Sequence, residues 1–95
     1  MLSADVVRRR LLFSGVVQGV GFRYWAVRES AAFKVTGYVR NLYDGSLEAV
    51  LEGPRDEVLG FERVLRQGPP YGRIRRVDGI DEEPRGEFAS FDVKF

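Results

Sequence analysis

An α+β fold, with an antiparallel sheet carrying two helices on one face, is predicted by this sequence. Helix-period apolar stripes near 22–33 and 54–67 alternate with strand-period segments, and the tight-turn pair Asp44-Gly45 sits between two of those segments. The chain has 95 residues, 44% hydrophobic and 31% charged, which suits one folded core and no second one. A single domain over 1–95 is expected.

Residues 6–17, VVRRRLLFSGVV, read as the first strand, with Leu11 and Phe13 on one face and the adjacent Leu12 leaving the inward parity ambiguous. The QGVG run at 18–21 breaks that pattern and predicts a loop. From Phe22 to about Phe33 the apolar positions 22, 25, 26, 32 and 33 form a helical stripe. Residues 35–53 then read as two strands around the Asp44-Gly45 turn, Val35 and Val39 sharing one parity and Leu47, Ala49 and Leu51 another. Antiparallel pairing follows.

Gly53 and Pro54 announce a second helix, with Asp56 and Glu57 in its first turn and Gly68-Pro69-Pro70 as its stop. Val58, Phe61, Val64 and Leu65 line one side of it, while Arg55, Glu62, Arg63 and Arg66 take the remainder. A weaker strand spans 73–80, where the spacing of Ile74, Val77 and Ile80 calls for a bulge. The polar loop 81–87 leads to a half-buried closing strand with Phe91, Val93 and Phe95 on one face. With the last strand split at the polar loop, strand, helix, strand, strand, helix, strand is the βαββαβ order of a ferredoxin-like sandwich.

Composition removes several classes of function. A net charge of +1 provides no large field for nucleic acid or an anionic membrane. The run Arg8-Arg9-Arg10 superficially matches a twin-arginine export signal, but Gln18 and Arg23 interrupt the apolar stretch that must follow. No apolar run approaches the ~20 residues of a membrane span. With Cys and His both absent, disulfides and the commonest zinc and iron ligands are absent too, so no metal is expected and the cytoplasm is the expected compartment. Arg73, Arg75 and Arg76 read as an exposed strand face, Glu48 and Glu52 as solvated strand charges.

The chemistry concentrates in VVQGVGFRYW, residues 16–25. The first N–H groups of a helix have no partner within it, and the helix dipole adds partial positive charge there. Gly19 and Gly21 let successive amides turn toward one centre, and Arg23 adds a guanidinium fork matched to phosphate oxygens. Neither a dinucleotide fingerprint nor a P-loop fits, because Tyr24 stands where the third glycine belongs and no Lys-Ser or Lys-Thr follows. On spacing alone, a plain tight turn remains open. Asn41, alone, is equally a turn former.

GVVQGVGFR at 15–23 resembles the signature loop of the acylphosphatase family, and GYVRNLYDGSLE at 37–48 resembles its second signature, with an asparagine ahead of a D-G turn. The similarity covers nearly the whole chain; Val16 departs from the polar or basic residue many members carry. What the resemblance implies is a ferredoxin-like enzyme without cofactor that hydrolyses acyl phosphates to a carboxylate and inorganic phosphate. It implies catalytic roles for Arg23 and Asn41, and a phosphate-binding loop of Gln18, Gly19, Val20, Gly21, Phe22 and Arg23.

The residue inventory permits that chemistry. A carboxylate leaves without a general acid, so the missing histidine is no obstacle. Positioning and charge stabilisation remain, the main demands of phosphoryl transfer. Asn41 can aim a water without ionising. Tyr24 and Trp25 read as helix residues outside the site, and Asp44 as a turn residue. The partner expected is a small-molecule acyl phosphate, with no nucleic acid and no membrane, and the protein is expected to be a monomer. The alternative is a non-catalytic phosphate- or RNA-binding module of the same fold.

Overall fold

The first strand, β1 (Val6–Val16), is followed by α1 (Phe22–Ser30), β2 (Thr36–Asn41), β3 (Leu47–Pro54), α2 (Arg55–Gln67), β4 (Arg73–Glu82) and β5 (Phe91–Val93). The computed structural model describes residues 5–95, so the first four positions of the expected domain lie outside the described residues. The sheet order is β4-β1-β3-β2-β5. β1 pairs antiparallel with both β3 and β4, and β2 pairs antiparallel with β3, as expected. The closing strand differs. Only Phe91, Asp92 and Val93 pair, and they run parallel to β2 at the far edge.

Alternation places odd-numbered residues of β1 toward the helices. Leu11 and Phe13 are fully buried there beside Leu47, Ala49 and Leu51 of β3, which resolves the parity that Leu12 left open. Val58, Phe61 and Leu65 of α2 close the core from above, and the Phe61 ring meets Phe33 at 5.4 Å and Phe91 at 5.1 Å. Each such side chain contributes about 1.5–3 kcal/mol by leaving water. Phe95 does not join them; it is 90% exposed.

Helix α1 stops at Ser30, three residues short of the expected Phe33. The chain tightens there into i→i+3 bonds, from the N–H groups of Ala31, Ala32 and Phe33 to Arg28, Glu29 and Ser30. Phe33 still reaches the core through that turn. The bulge expected in β4 is present: Ser14 faces Arg76 while Gly15 faces Ile74, leaving Arg75 as the extra residue. It brings Ile74 and Val77 onto the core side together. Ile80, opposite Arg10, falls on the other face and is 45% exposed.

Glu48 and Glu52 are not solvated charges: they are 3% and 4% exposed. The register sets Arg8 opposite Glu52, and the even-numbered residues of β1 and β3 share the face away from the helices. Arg8 bonds Glu52 at 3.2 Å, Glu82 at 3.0 Å and Glu87 at 2.7 Å. Arg10 bridges Glu48 and Glu82, and Arg40 and the Tyr38 hydroxyl both donate to Glu48. The loop after β4 crosses this face, its Arg85 and Gly86 N–H groups donating to the Glu52 carboxylate. Glu62, expected on the outer side of α2, is likewise 7% exposed and bonded to Arg9 at 3.0 and 3.1 Å.

This network makes stability depend on pH with a definite sign. Burial pushes the Glu52 carboxyl up, but the Arg85 and Gly86 amides and the Arg8 guanidinium hold it below its ordinary value of 4.5. Glu62 is held down in the same manner by Arg9 and Arg66 against its burial, and Glu82 chiefly by its bond from Arg10. A carboxyl depressed in the folded state stabilises the fold above its unfolded pKa, and that contribution disappears as pH falls through the folded value. The urea midpoint should therefore be flat near neutrality and fall steadily below about pH 4.5. Replacing Glu52 with Gln should flatten part of that acid limb.

Candidate active site

Between Val16 and Phe22 the chain makes its turn from strand to helix with Gly19 at φ 74° and Gly21 at φ 77°. A Cβ at either position would meet nothing within 4 Å, so glycine is required by the backbone angle and not by crowding. Gly21 is the N-cap of α1, and the Trp25 N–H bonds its carbonyl at 3.0 Å. Among the described residues no side chain caps this helix, and no acidic residue lies in its first turn, whereas α2 carries Asp56 and Glu57 there. Among the described residues, none of the N–H groups of Gln18 through Arg23 donates to a protein acceptor. An anion is the natural complement to such an end.

The loop is held by its own apolar side chains. Phe22 is buried between Phe13, 5.2 Å away, and Trp25, 5.4 Å away, while Val20 packs against the same core. Phe22 and Val20 thus have only backbone to offer a ligand. Arg23 is half-buried beside the loop, its guanidinium carbon 5.4 Å from the centre of the Phe95 ring. No carboxylate pairs with it among the described residues. The Gln18 side chain turns the other way, its Nε2 donating to the carbonyls of Leu42 and Ser46 at 2.8 Å each.

Asn41 closes β2 opposite Leu47 and shares the helix-facing parity of fully buried Val39. Its Oδ1 is buried and meets no hydrogen-bond donor among the described residues. A buried acceptor in that condition costs free energy, and a catalytic role is one of the few reasons a fold retains one. A hollow of about 150 Å³ brings Asn41 together with Gly19, Gly21 and Arg23. A larger cleft of about 490 Å³ shares Arg23 and Asn41 and runs on to Leu42, Tyr43, Lys94 and Phe95. Its far wall comes from the end of the chain, pinned where the Lys94 N–H bonds the Val39 carbonyl. Nothing local in the sequence marks Lys94 or Phe95 as cleft residues.

Tyr24, read as lying outside the site, borders the hollow; Trp25 packs on Phe22 as expected. Asp44 is a turn residue, accepting from the Ser46 N–H at 2.9 Å. The acylphosphatase family model matches residues 9–93, the site and nearly all the fold included. The chain belongs to the acylphosphatase family. It is 49% identical to an acylphosphatase of Moorella thermoacetica over 83 residues, covering 87% of this chain and 89% of that one. It is 46% identical to an acylphosphatase of Arthrobacter sp. strain FB24, over 94% of this chain and 82% of the relative. The crystal structure of acylphosphatase from Bacillus subtilis superposes with a TM-score of 0.88 at 28% identity, covering 94% and 99% of the two chains. The ferredoxin-like α+β architecture is that of the acylphosphatases, with β5 as an added parallel edge.

Proposed function

We propose a division of labour for the reaction this chain catalyses, the hydrolysis of an acyl phosphate to a carboxylate and inorganic phosphate. The amides of Gln18, Gly19, Val20, Gly21, Phe22 and Arg23, with the Arg23 guanidinium, hold the phosphoryl oxygens. Asn41 Oδ1 accepts a hydrogen bond from the attacking water and aims its oxygen at phosphorus. The observation that carries this reading is the hollow in which the glycine loop, Arg23 and Asn41 meet, together with the buried Asn41 Oδ1 that has no donor among the described residues.

As the water oxygen bonds to phosphorus, the bond from phosphorus to the bridging oxygen breaks, and the carboxylate departs with the electron pair. Carboxylate is a weak base and needs no acid to leave. The water proton passes to a phosphoryl oxygen of the substrate itself. Guanidinium and amides are fixed before the charge develops, so they stabilise it without reorganising. The acyl portion extends into the larger cleft, between Leu42, Tyr43 and Phe95.

The enzyme acts on a small molecule, and we place it in the cytoplasm as a monomer, an absence of cysteine being suited to a reducing compartment. No helix among the described residues is long and apolar enough to cross a membrane. The open sheet face on which an RNA-binding relative of this fold would stack bases is crossed by ion pairs, its arginines already engaged by glutamates. The test is turnover of acetyl phosphate by the purified, folded protein with a chelator present. Steady hydrolysis is expected; a folded protein that binds phosphate and turns over nothing would overturn the reading.

A further inference from the structure

We propose that the Gln18 side chain is a positioning residue for Asn41, tying the phosphate loop to the hairpin that carries the asparagine. The inference rests on the role given to Asn41 above. The hairpin leaves β2 at Asn41 and returns at Leu47, and its turn is held by Leu42 N–H to Ser46 C=O at 2.9 Å, Gly45 N–H to Leu42 C=O at 3.2 Å, and the Ser46 N–H and hydroxyl donating to Asp44 Oδ1 at 2.9 and 2.5 Å. Gln18 Nε2 donates to the same two carbonyls, Leu42 and Ser46, at 2.8 Å each. A primary amide nitrogen has two hydrogens, and a carbonyl oxygen has two lone pairs. Every one of them is used.

Leu42 follows Asn41 directly, so fixing its carbonyl fixes the peptide that continues from the asparagine. The other end of the tie is the residue before Gly19, where the loop begins. Tyr43, Asp44 and Gly45 at the hairpin tip are exposed, so their side chains bring no core packing to the turn. Gln18 therefore sets the distance between the group that aims water and the loop that holds phosphorus, across 24 residues of chain. Other side chains replace it poorly: aspartate and glutamate bring no donor when ionised, and asparagine is one methylene short. Misplacement of a reacting group by about 1 Å costs on the order of a hundredfold in rate.

The experiment is a double-mutant cycle on the full chain, with kcat for acetyl phosphate and the inhibition constant for inorganic phosphate as readouts. Gln18→Met keeps the side-chain bulk and removes both donors. It should lower kcat about tenfold to a hundredfold while phosphate inhibition stays within about twofold, because the loop amides remain. In the Asn41→Ala background, the same substitution should change kcat by less than about twofold, since the group it positions is gone. Gln18→Glu provides a second reading: its carboxylate faces two carbonyls near neutral pH, and its activity relative to wild type should recover as acid restores one donor. Unchanged kcat in Gln18→Met, or additive losses in the double variant, would overturn the proposal. Loss of phosphate affinity in place of kcat would also overturn it. If Asn41→Ala alone left kcat intact, the role of Asn41 itself would fall, an outcome distinct from all of these.

Discussion

Arg23→Ala is expected to weaken inorganic phosphate inhibition and to lower kcat/KM for an acyl phosphate by at least a hundredfold to a thousandfold. The scale is that of losing one preorganised charge-stabilising contact, about 2.7–4 kcal/mol of barrier. Both constants should move because, in the proposed arrangement, the guanidinium meets the phosphoryl group in the ground state and in the transition state alike. Lysine should rescue poorly: it restores the charge but not the planar fork that engages two oxygens. Thermal stability should hardly change. Arg23 forms no ion pair among the described residues, and its neighbour Phe95 is exposed. A variant that keeps phosphate inhibition and full turnover would remove Arg23 from the site.

Asn41→Ala should separate the two constants that Arg23→Ala moves together. With water no longer aimed, kcat should fall about a hundredfold to a thousandfold, while inhibition by inorganic phosphate stays close to wild type because the loop and Arg23 are untouched. The same substitution removes a buried oxygen that no donor among the described residues satisfies. Stability should hold or rise, by up to about 1 kcal/mol, the usual exchange where an active site retains an unfavourable group for its chemistry. Asn41→Asp should behave differently again, since a carboxylate facing the bound phosphate repels it and raises the inhibition constant. Thermal melts and steady-state kinetics on the two variants distinguish these outcomes. Loss of phosphate affinity in Asn41→Ala would mean that the amide binds substrate and does not aim water.

Much of the site is readable from nearby residues. Gly19 and Gly21 adopt the positive φ that their spacing ahead of a helix suggests, and Asp44-Gly45 makes the turn that places Asn41 at a strand end. Asn41 shares the odd-numbered parity of fully buried Val39 on β2, a relation already present in the sequence. Charges were harder. Glu48, Glu52 and Glu62 look like surface residues in any window of sequence, because a glutamate carries no local sign of whether an arginine will stand opposite it. Arg8 meets Glu52 and Glu87 across separations of 44 and 79 residues.

Element order, the turn residues and the glycine turn ahead of α1 follow from periodicity and glycine angles, which act over a few residues, while the phosphate-binding role of that turn and its arginine entered through the family resemblance. Which carboxylates are buried, which edge β5 joins, where Gln18 spends its amide and what forms the far wall of the cleft were decided by tertiary packing. The reason is register. A slip of one residue in the pairing of β1 with β3 would send Arg8 to the helix side and Leu11 to the open face. Only the packed core, by requiring Leu11 and Phe13 inside, selects the alignment that joins those distant polar groups.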